Sequence, residues 1–387
     1  MAGLNETPKG DRVHIAFFGL RNAGKSTLVN RLTGQDVAIV SDVAGTTTDP
    51  VSKAMEILPL GPCLVTDTAG LDDEGPLGEM RVKKSLDVLA TTDIAVWVEE
   101  CAATNAVYER FLAACRARDI AVLHYRRGDD VEAFRRELAA VRLADAPRPL
   151  VGDLVQAGDV VVCVCPIDES APKGRLILPQ QQVVRELLDA GAAALVCQPP
   201  QLADLLARTP DVKFVITDSQ AFKAVAAVVP SEIPLTSFSI VFARAKGDLA
   251  AYCAGAAALD ALKDGDRVLI SEGCTHHRQC NDIGTVKLPK WISAKTGKKL
   301  AFEWTSGNAF PEDISPYALV VHCGGCMLTR RAVQARIARC RAAGVPITNY
   351  GVCIAACNGI VASPDTCMVR RWKTGGHVIG MLLKKEE

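Results

Sequence analysis

The chain has no surplus of charge of either sign: 44 lysines and arginines stand against 44 aspartates and glutamates. A nucleic-acid partner usually leaves a basic excess, so none is expected. There is no apolar run of about 18 residues, the length that crosses a bilayer, so no membrane-spanning helix is expected. The polar opening MAGLNETPKGDR has no apolar segment of the kind a secretory leader carries. A cytoplasmic protein is the expectation. Internal repeats and low-complexity tracts are also missing from the sequence. What remains is an ordinary globular chain, 387 residues long and 49% apolar, enough for two or three domains.

Cysteine, by contrast, is abundant: there are 15. In a reducing compartment these do not make a disulfide framework. Cys63, Cys101, Cys163, Cys165 and Cys197 sit within apolar runs and are expected to pack as small buried side chains. The cysteines clustered near the end need another explanation.

Strand-like runs alternate with helical patterns along the chain, which predicts α/β domains with parallel sheets flanked by helices. RVHIAFFG (12–19), CLVTDTAG (63–70), DIAVWVE (93–99) and DIAVLHY (119–125) are strands of a first domain. A Pro-rich break at DAPRPLVGD (145–153) ends it. The pattern restarts with the strands DVVVCVC (159–165), AALVCQ (193–198), VKFVIT (212–217) and LTSFSIVFA (235–243), with helices between them. A third domain follows, with a helical stretch through Leu262, the strands RVLISEG (267–273) and YALVVH (317–322), a helix over 327–344 and a strand-like PITNYGV (346–352). The expected boundaries are 1–147, 148–245 and 246–387.

GLRNAGKS, Gly19 to Ser26, matches G-x-x-x-x-G-K-[ST] between a strand and a helix. Such a loop cradles phosphates with backbone N–H groups at a helix N-terminus. Asn22, Ala23, Gly24, Lys25, Ser26 and Thr27 are the candidate nucleotide contacts. Lys25 would reach the β- and γ-phosphates, and the Ser26 hydroxyl would ligate Mg²⁺. DTAG (67–70) ends the second strand, where Asp67 can hold the Mg²⁺ shell and the Gly70 amide the γ-phosphate. AGTTTDP (44–50) lies between, with Thr47, or alternatively Thr46, completing the metal shell. Lys25, Thr47 and Asp67 are the candidate catalytic residues.

The region resembles GTPases of the TrmE/Era type, with the first three motifs in the expected order. The resemblance implies that GTP is the substrate and that Asn22 binds a potassium ion, K⁺, which stimulates hydrolysis. Leu71 follows DTAG, so no glutamine stands at the water-orienting position, and slow intrinsic turnover is expected. The guanine-reading N-K-x-D motif is degenerate: after AVLHY stands RRGD (126–129), in which only Asp129 keeps its type. A further strand and the loop that touches the base are missing, because VEAFRRELAAVR (131–142) runs directly into the Pro-rich break.

HCGGC (322–326) places Cys323 and Cys326 in C-x-x-C spacing at a strand-to-helix junction, and CTHH (274–277) also stands at a strand end. Parallel strands put their C-terminal loops on one rim, so the two stretches are expected to converge. C-x-x-C alone would also suit a thioredoxin-like dithiol. With CTHH, three thiols, Cys274, Cys323 and Cys326, with His276 or His322 as candidates for a fourth position and His277 and Cys280 as alternatives from the first stretch, suit either tetrahedral zinc or an iron–sulfur cluster. Cys353 and Cys357 in GVCIAAC fall on one face if helical and are read as packing cysteines.

C-x-H, 45 intervening residues, then H-C-x-x-C resembles the signature of the FeFe-hydrogenase maturation GTPases, the HydF family. The likeness extends through GDVVVCVCPIDESAPKGRLILPQQQ to TNYGVCIAACNGI and so covers nearly the whole chain. It implies a middle dimerisation domain and a C-terminal domain holding a 4Fe-4S cluster on Cys274, Cys323 and Cys326. It implies a homodimer that carries a diiron precursor to apo FeFe-hydrogenase and works with radical maturase enzymes.

Overall fold

Val13–Gly19 is apolar on both faces and forms strand β1, the middle of a five-stranded sheet. Its neighbours in the chain are α1 (Lys25–Thr33), β2 (Val51–Ile57), β3 (Gly61–Asp67), α2 (Gly75–Asp87), β4 (Ile94–Glu99), α3 (Ala106–Arg116), β5 (Ala121–Arg126) and α4 (Val131–Ala139). The computed structural model describes residues 7–34, 50–58, 60–73, 75–99, 106–141, 148–167, 174, 176–273, 282–307, 309–362 and 369–371. It divides into two units, Met1–Arg148 with Gly325–Arg339, and Pro149–Gly324 with Cys340–Glu387.

In the first unit the strand order is β2-β3-β1-β4-β5, parallel except for the β2–β3 pair. Alternate residues of β1 feed two cores, as the period of two in a strand requires. Ile15 and Phe17 pack with Leu28, Val29 and Leu32 of α1 and with Phe134 and Leu138 of α4. Ala16 and Phe18 pack with Trp97 and Phe111, whose rings lie 5.0 Å apart. Among the described residues β5 is the edge strand of this sheet.

The second unit holds two sheets. The chain runs through β6 (Val160–Val164), α5 (Leu178–Asp189), β7 (Ala193–Cys197), α6 (Leu202–Arg208), β8 (Val212–Thr217), α7 (Phe222–Val228), β9 (Leu235–Ser237), α8 (Phe238–Lys246) and α9 (Leu249–Ala257). It continues through β10 (Arg267–Ser271), α10 (Leu288–Thr296), β11 (Ala301–Thr305), β12 (Leu319–His322), then α11 (Arg330–Ala342), which belongs mostly to the first unit, and returns through β13 (Ile347–Asn349), α12 (Tyr350–Cys357), β14 (Ile360–Ala362) and β15 (Val369–Arg371). One sheet has the order β14-β15-β9-β8-β6-β7, the other β11-β10-β12-β13.

The two sheets repeat one plan. In each, the first strand has the second on one side and the third, then the fourth, on the other. The last row across the first sheet is Cys197, Val164, Thr217, Ser237; across the second it is Thr305, Ser271, His322, Asn349. In both, the last residue of the row caps a helix that starts at once: Ser237 accepts from the Ile240 amide and Asn349 from the Val352 amide. No sequence repeat announces this. The strand termini correspond, but the residues on them do not.

Two segments depart from the sequence reading. LTSFSIVFA and PITNYGV are each a three-residue strand followed by a helix, not a long strand. Both helices are buried nearly all round, so they show no polar face, and an apolar run alone does not separate a buried helix from a strand. The strands β2, β11, β14 and β15 are additions to the predicted set.

Cys63, Cys163, Cys165 and Cys197 are buried, as expected of packing thiols; Cys101 lies outside the described residues. Burial pushes the thiol of Cys63 up to about 11 and that of Cys163 up to about 12. Cys353 is also buried, on α12, and donates its thiol proton to Cys357 one turn on. Among the described residues no helix is long and apolar enough to cross a membrane.

Candidate functional site

The phosphate loop leaves the carboxyl end of β1, where the order of the sheet reverses between β3 and β4. That is the place where open α/β sheets bind ligands. Asn22 has φ 60° and so takes the left-handed turn that opens the loop toward a phosphate, a conformation asparagine adopts more readily than most residues. α1 starts at Lys25 and aims its first amides into that turn.

Lys25 is buried and bonds the carbonyls of Leu20 at 2.7 Å and Gly19 at 3.4 Å. Burial lowers its pKa, opposed by the charges of Asp67, Asp72 and Asp73. Ser26 Oγ donates to Asp67 Oδ2 at 2.5 Å. Burial raises the pKa of Asp67, against the bond from Ser26 and the charge of Lys25. The other carboxylate oxygen, Asp67 Oδ1, is buried with no hydrogen-bond partner. An orphaned buried oxygen beside a serine hydroxyl is the donor set a Mg²⁺ ion fits.

Gly70 lies so close to the phosphate loop that a Cβ there would stand 2.8 Å from the Arg21 amide nitrogen. Asp72 Oδ1 accepts from that same amide at 2.6 Å, and Asp73 pairs with the Arg21 guanidinium at 3.6 Å. The Leu71 amide donates to Gly19 O at 3.2 Å, and its side chain is buried in the Phe18 core. Asp72 and Asp73 were not picked out from the sequence; their signal was only their place after DTAG. Thr27 is exposed at the third position of α1. Thr46 and Thr47 lie outside the described residues. Asp129 closes the turn after β5, its Oδ2 accepting from the Arg126 amide at 2.9 Å.

Of the second group of predicted residues, His322 and Cys323 stand at another reversal of strand order, the carboxyl end of β12 beside β10. Cys323 follows β12 directly. Its amide donates to Ser271 O at 3.0 Å, and its Sγ accepts from the Gly273 amide at 2.9 Å. Hydrogen bonds of this kind are what metal-bound sulfurs accept. Buried His322 bonds the Cys323 carbonyl through Nδ1 at 2.7 Å. A carbonyl only accepts, so Nδ1 carries a proton; in the neutral ring Nε2 then holds the lone pair, the form in which imidazole ligates a metal.

Cys274 and His276 lie outside the described residues. Among the described residues no three histidine, cysteine or acidic side chains converge as a metal site. Cys326 is three residues beyond Cys323 in the turn before α11. The donor chemistry of Cys323 and His322 fits a thiolate-bound metal group. Glu272, Tyr350, Asn349 and Ser239 surround this turn and were missed in the sequence. Tyr350 Oη donates to Glu272 Oε1 at 3.1 Å, and Trp304 Nε1 to Gly284 O at 3.0 Å.

Residues 14–139 match the family described as 50S ribosome-binding GTPase. With the loop, the buried lysine and the Ser26–Asp67 pair on β1 and β3, this is a P-loop GTPase domain. Residues 150–247 match the hydrogen maturase F dimerization domain and residues 250–363 the hydrogen maturase F tetramerization domain, together more than half of the chain. The chain therefore belongs to the hydrogen maturase F family.

The tRNA modification GTPase MnmE of Verminephrobacter eiseniae is 34% identical over 166 residues, 36% of this chain and 33% of that protein. GTPase Der of Xylella fastidiosa is 46% identical over 90 residues, 22% of this chain and 19% of that protein. The chain thus spans a third or less of these curated relatives. Among solved structures, Era of Aquifex aeolicus bound to GDP·AlF4⁻ aligns over 77% of this chain and 94% of that one, at 15% identity and a TM-score of 0.27.

Proposed function

We propose that this chain is a GTP-hydrolysing carrier of a hydrogenase-maturation intermediate. It hydrolyses GTP at the Lys25–Ser26 loop and holds a 4Fe-4S cluster through Cys274, Cys323 and Cys326. It hands a diiron precursor to apo FeFe-hydrogenase.

On the nucleotide side, the amides from Asn22 to Ser26 receive the phosphates, and Lys25 exchanges its bonds to the Gly19 and Leu20 carbonyls for phosphate oxygens. Ser26 and Asp67 hold Mg²⁺, which when bound neutralises charge on the β- and γ-phosphates; Asn22 is the K⁺ ligand. Leu71 is packed into the core and cannot orient water, which supports slow turnover suited to a switch. On the metal side, a cluster held by three cysteines leaves one iron open to an exchangeable ligand, His276 or His322 or the cargo itself. Self-association rests on the two maturase domains, a homodimer at least. The radical maturases are its further partners, and the cytoplasm its compartment.

The observation that carries the metal reading is Cys323, held at the rim of β10 and β12 with its sulfur receiving the Gly273 N–H, in a domain that matches a hydrogen maturase. The test is anaerobic reconstitution with iron and sulfide, read by metal content and paramagnetic resonance. Wild type is expected to take up about four irons per chain, as the cluster type dictates, and Cys323→Ala to lose the signal. Colourless protein with one zinc per chain would overturn the carrier reading in favour of a nucleotide switch with a structural metal.

A further inference from the structure

We infer that Ser239 and Asn349 are positioning residues for the Cys323 turn, so that a residue of the dimerisation domain sets the pose of a metal-binding thiol. The role for the thiol rests on the cluster reading above; the clamp itself does not.

The fourth strands of the two sheets, β9 and β13, each end in a capping residue that starts a buried helix, Ser237 for α8 and Asn349 for α12. Ser239 is two residues beyond the first cap and Gly351 two beyond the second. These equivalent positions meet: the Gly351 amide donates to Ser239 Oγ at 3.2 Å. A Cβ on residue 351 would lie 3.0 Å from Ser239 Cβ, so only glycine leaves room for that approach.

Asn349 is buried and uses both ends of its amide. Its Oδ1 takes the Val352 N–H at 3.2 Å and so caps α12. Its Nδ2 faces Ser239 Oγ at 3.2 Å and the Cys323 carbonyl at 3.5 Å. Gly324 also packs near Ser239: a Cβ built on it would lie 3.4 Å from Ser239 Oγ. The Cys323 carbonyl therefore has two donors, His322 Nδ1 and Asn349 Nδ2. A helix cap needs only the oxygen of Asn349. The nitrogen serves no capping purpose, and it points at the serine and at the cysteine turn. Rotation of that turn about Cys323 would break these contacts together with the Gly273–Cys323 bond.

The experiment separates the cap from the clamp. Asn349→Asp keeps an oxygen for the Val352 amide and removes the donor; aspartate caps a helix as well as asparagine does. Ser239→Ala removes the hydroxyl and adds no bulk. In full-length metal-free protein, the alkylation rate of Cys323 by iodoacetamide is read by peptide mass spectrometry, with Cys357 as internal control and thermal unfolding alongside. Both variants are expected to melt near wild type and to alkylate Cys323 at least fivefold faster, with Cys357 unchanged. Equal rates at Cys323 in all three proteins would overturn the inference.

A second arm follows iron release to a chelator after anaerobic reconstitution, where both variants are expected to release iron at least fivefold faster. Wild type that takes up no iron would sink the cluster reading alone, because the alkylation arm still decides the clamp. Iron release at the wild-type rate from both variants would overturn the clamp's role toward the metal.

Discussion

Ser26 and Asp67 share a hydrogen bond of 2.5 Å, while the second oxygen of the same carboxylate is buried and unpartnered. This half-satisfied carboxylate predicts how the protein responds to Mg²⁺. Burial raises the pKa of Asp67 in the folded state. A raised carboxylate favours folding in acid and loses that contribution as pH rises through its folded pKa. Without Mg²⁺ at pH 7, Asp67→Asn is therefore expected to stabilise the protein, by on the order of 1 kcal/mol, and the gain should vanish toward pH 4. With Mg²⁺ the order reverses, because only the carboxylate gains from the ion. GTP hydrolysis should fall by about 100-fold or more. Thermal melts with and without Mg²⁺ across pH check the first part, phosphate release the second.

Base selectivity is expected to be weak. The one residue that retains the guanine-reading type, Asp129, spends its carboxylate on the Arg126 amide, and the sheet stops at β5. Inosine triphosphate lacks the 2-amino group that a guanine-reading carboxylate binds. Its kcat/KM should lie within about tenfold of that for GTP, since no buried partner is left unpaired by the missing group. A preference above a hundredfold would show that another part of the chain reads the base.

The buried thiols make the fold sensitive to alkali. Cys63 is pushed up to about 11, and Cys115 and Cys163 to about 12, from an ordinary value of 9.0, chiefly by burial. Such groups leave stability intact below pH 9 and withdraw it as pH climbs through 11 and 12, because the unfolded chain ionises first. Urea midpoints should be flat from pH 7 to about 8.5 and fall beyond it. Replacing Cys163 with Ala should flatten that fall at the cost of a small cavity.

Gly255 of α9 tests the packing under the sheet that ends at Cys323. A Cβ there would lie 1.9 Å from the Ile347 carbonyl oxygen on β13, a backbone atom that has no rotamer to escape into. Gly255→Ala is expected to destabilise the second unit by about 3 kcal/mol or more. The loss is read as a lowered denaturant midpoint, with GTP hydrolysis in the first unit retained below the transition. A wild-type midpoint would mean that α9 and β13 are not in contact.

The parts legible in the sequence are those where a short motif dictates backbone geometry. GLRNAGKS and DTAG mark the strand, turn and helix around Lys25, Ser26, Asp67 and Gly70, because a phosphate loop needs those elements in that order. The helix α4 was legible in the same way, as a helical pattern that runs toward prolines. Ser239 and Asn349 were invisible for a physical reason. Each sits at the start of a helix buried on all sides, where periodicity carries no signal, and SFSIVFA read as strand. The repeated sheet was hidden too. Its likeness is in hydrogen-bond register, Val164 to Thr217 and Ser271 to His322, and register leaves no mark on composition. Asp72 and Asp73 are ordinary acidic residues until the fold brings them against Arg21.

The C-terminal hairpin deserves a practical conclusion. β14 and β15 come after the thiol-bearing sheet in the chain, yet β15 pairs with β9, Val369 against Leu235, and so finishes the sheet of the preceding domain. Severing the gene near codon 247 would give one fragment with a raw strand edge and another with an orphan ribbon, each an invitation to aggregate. The two halves are stitched into one inheritance unit, and anyone wishing to borrow the module that carries Cys323 must take its neighbour along.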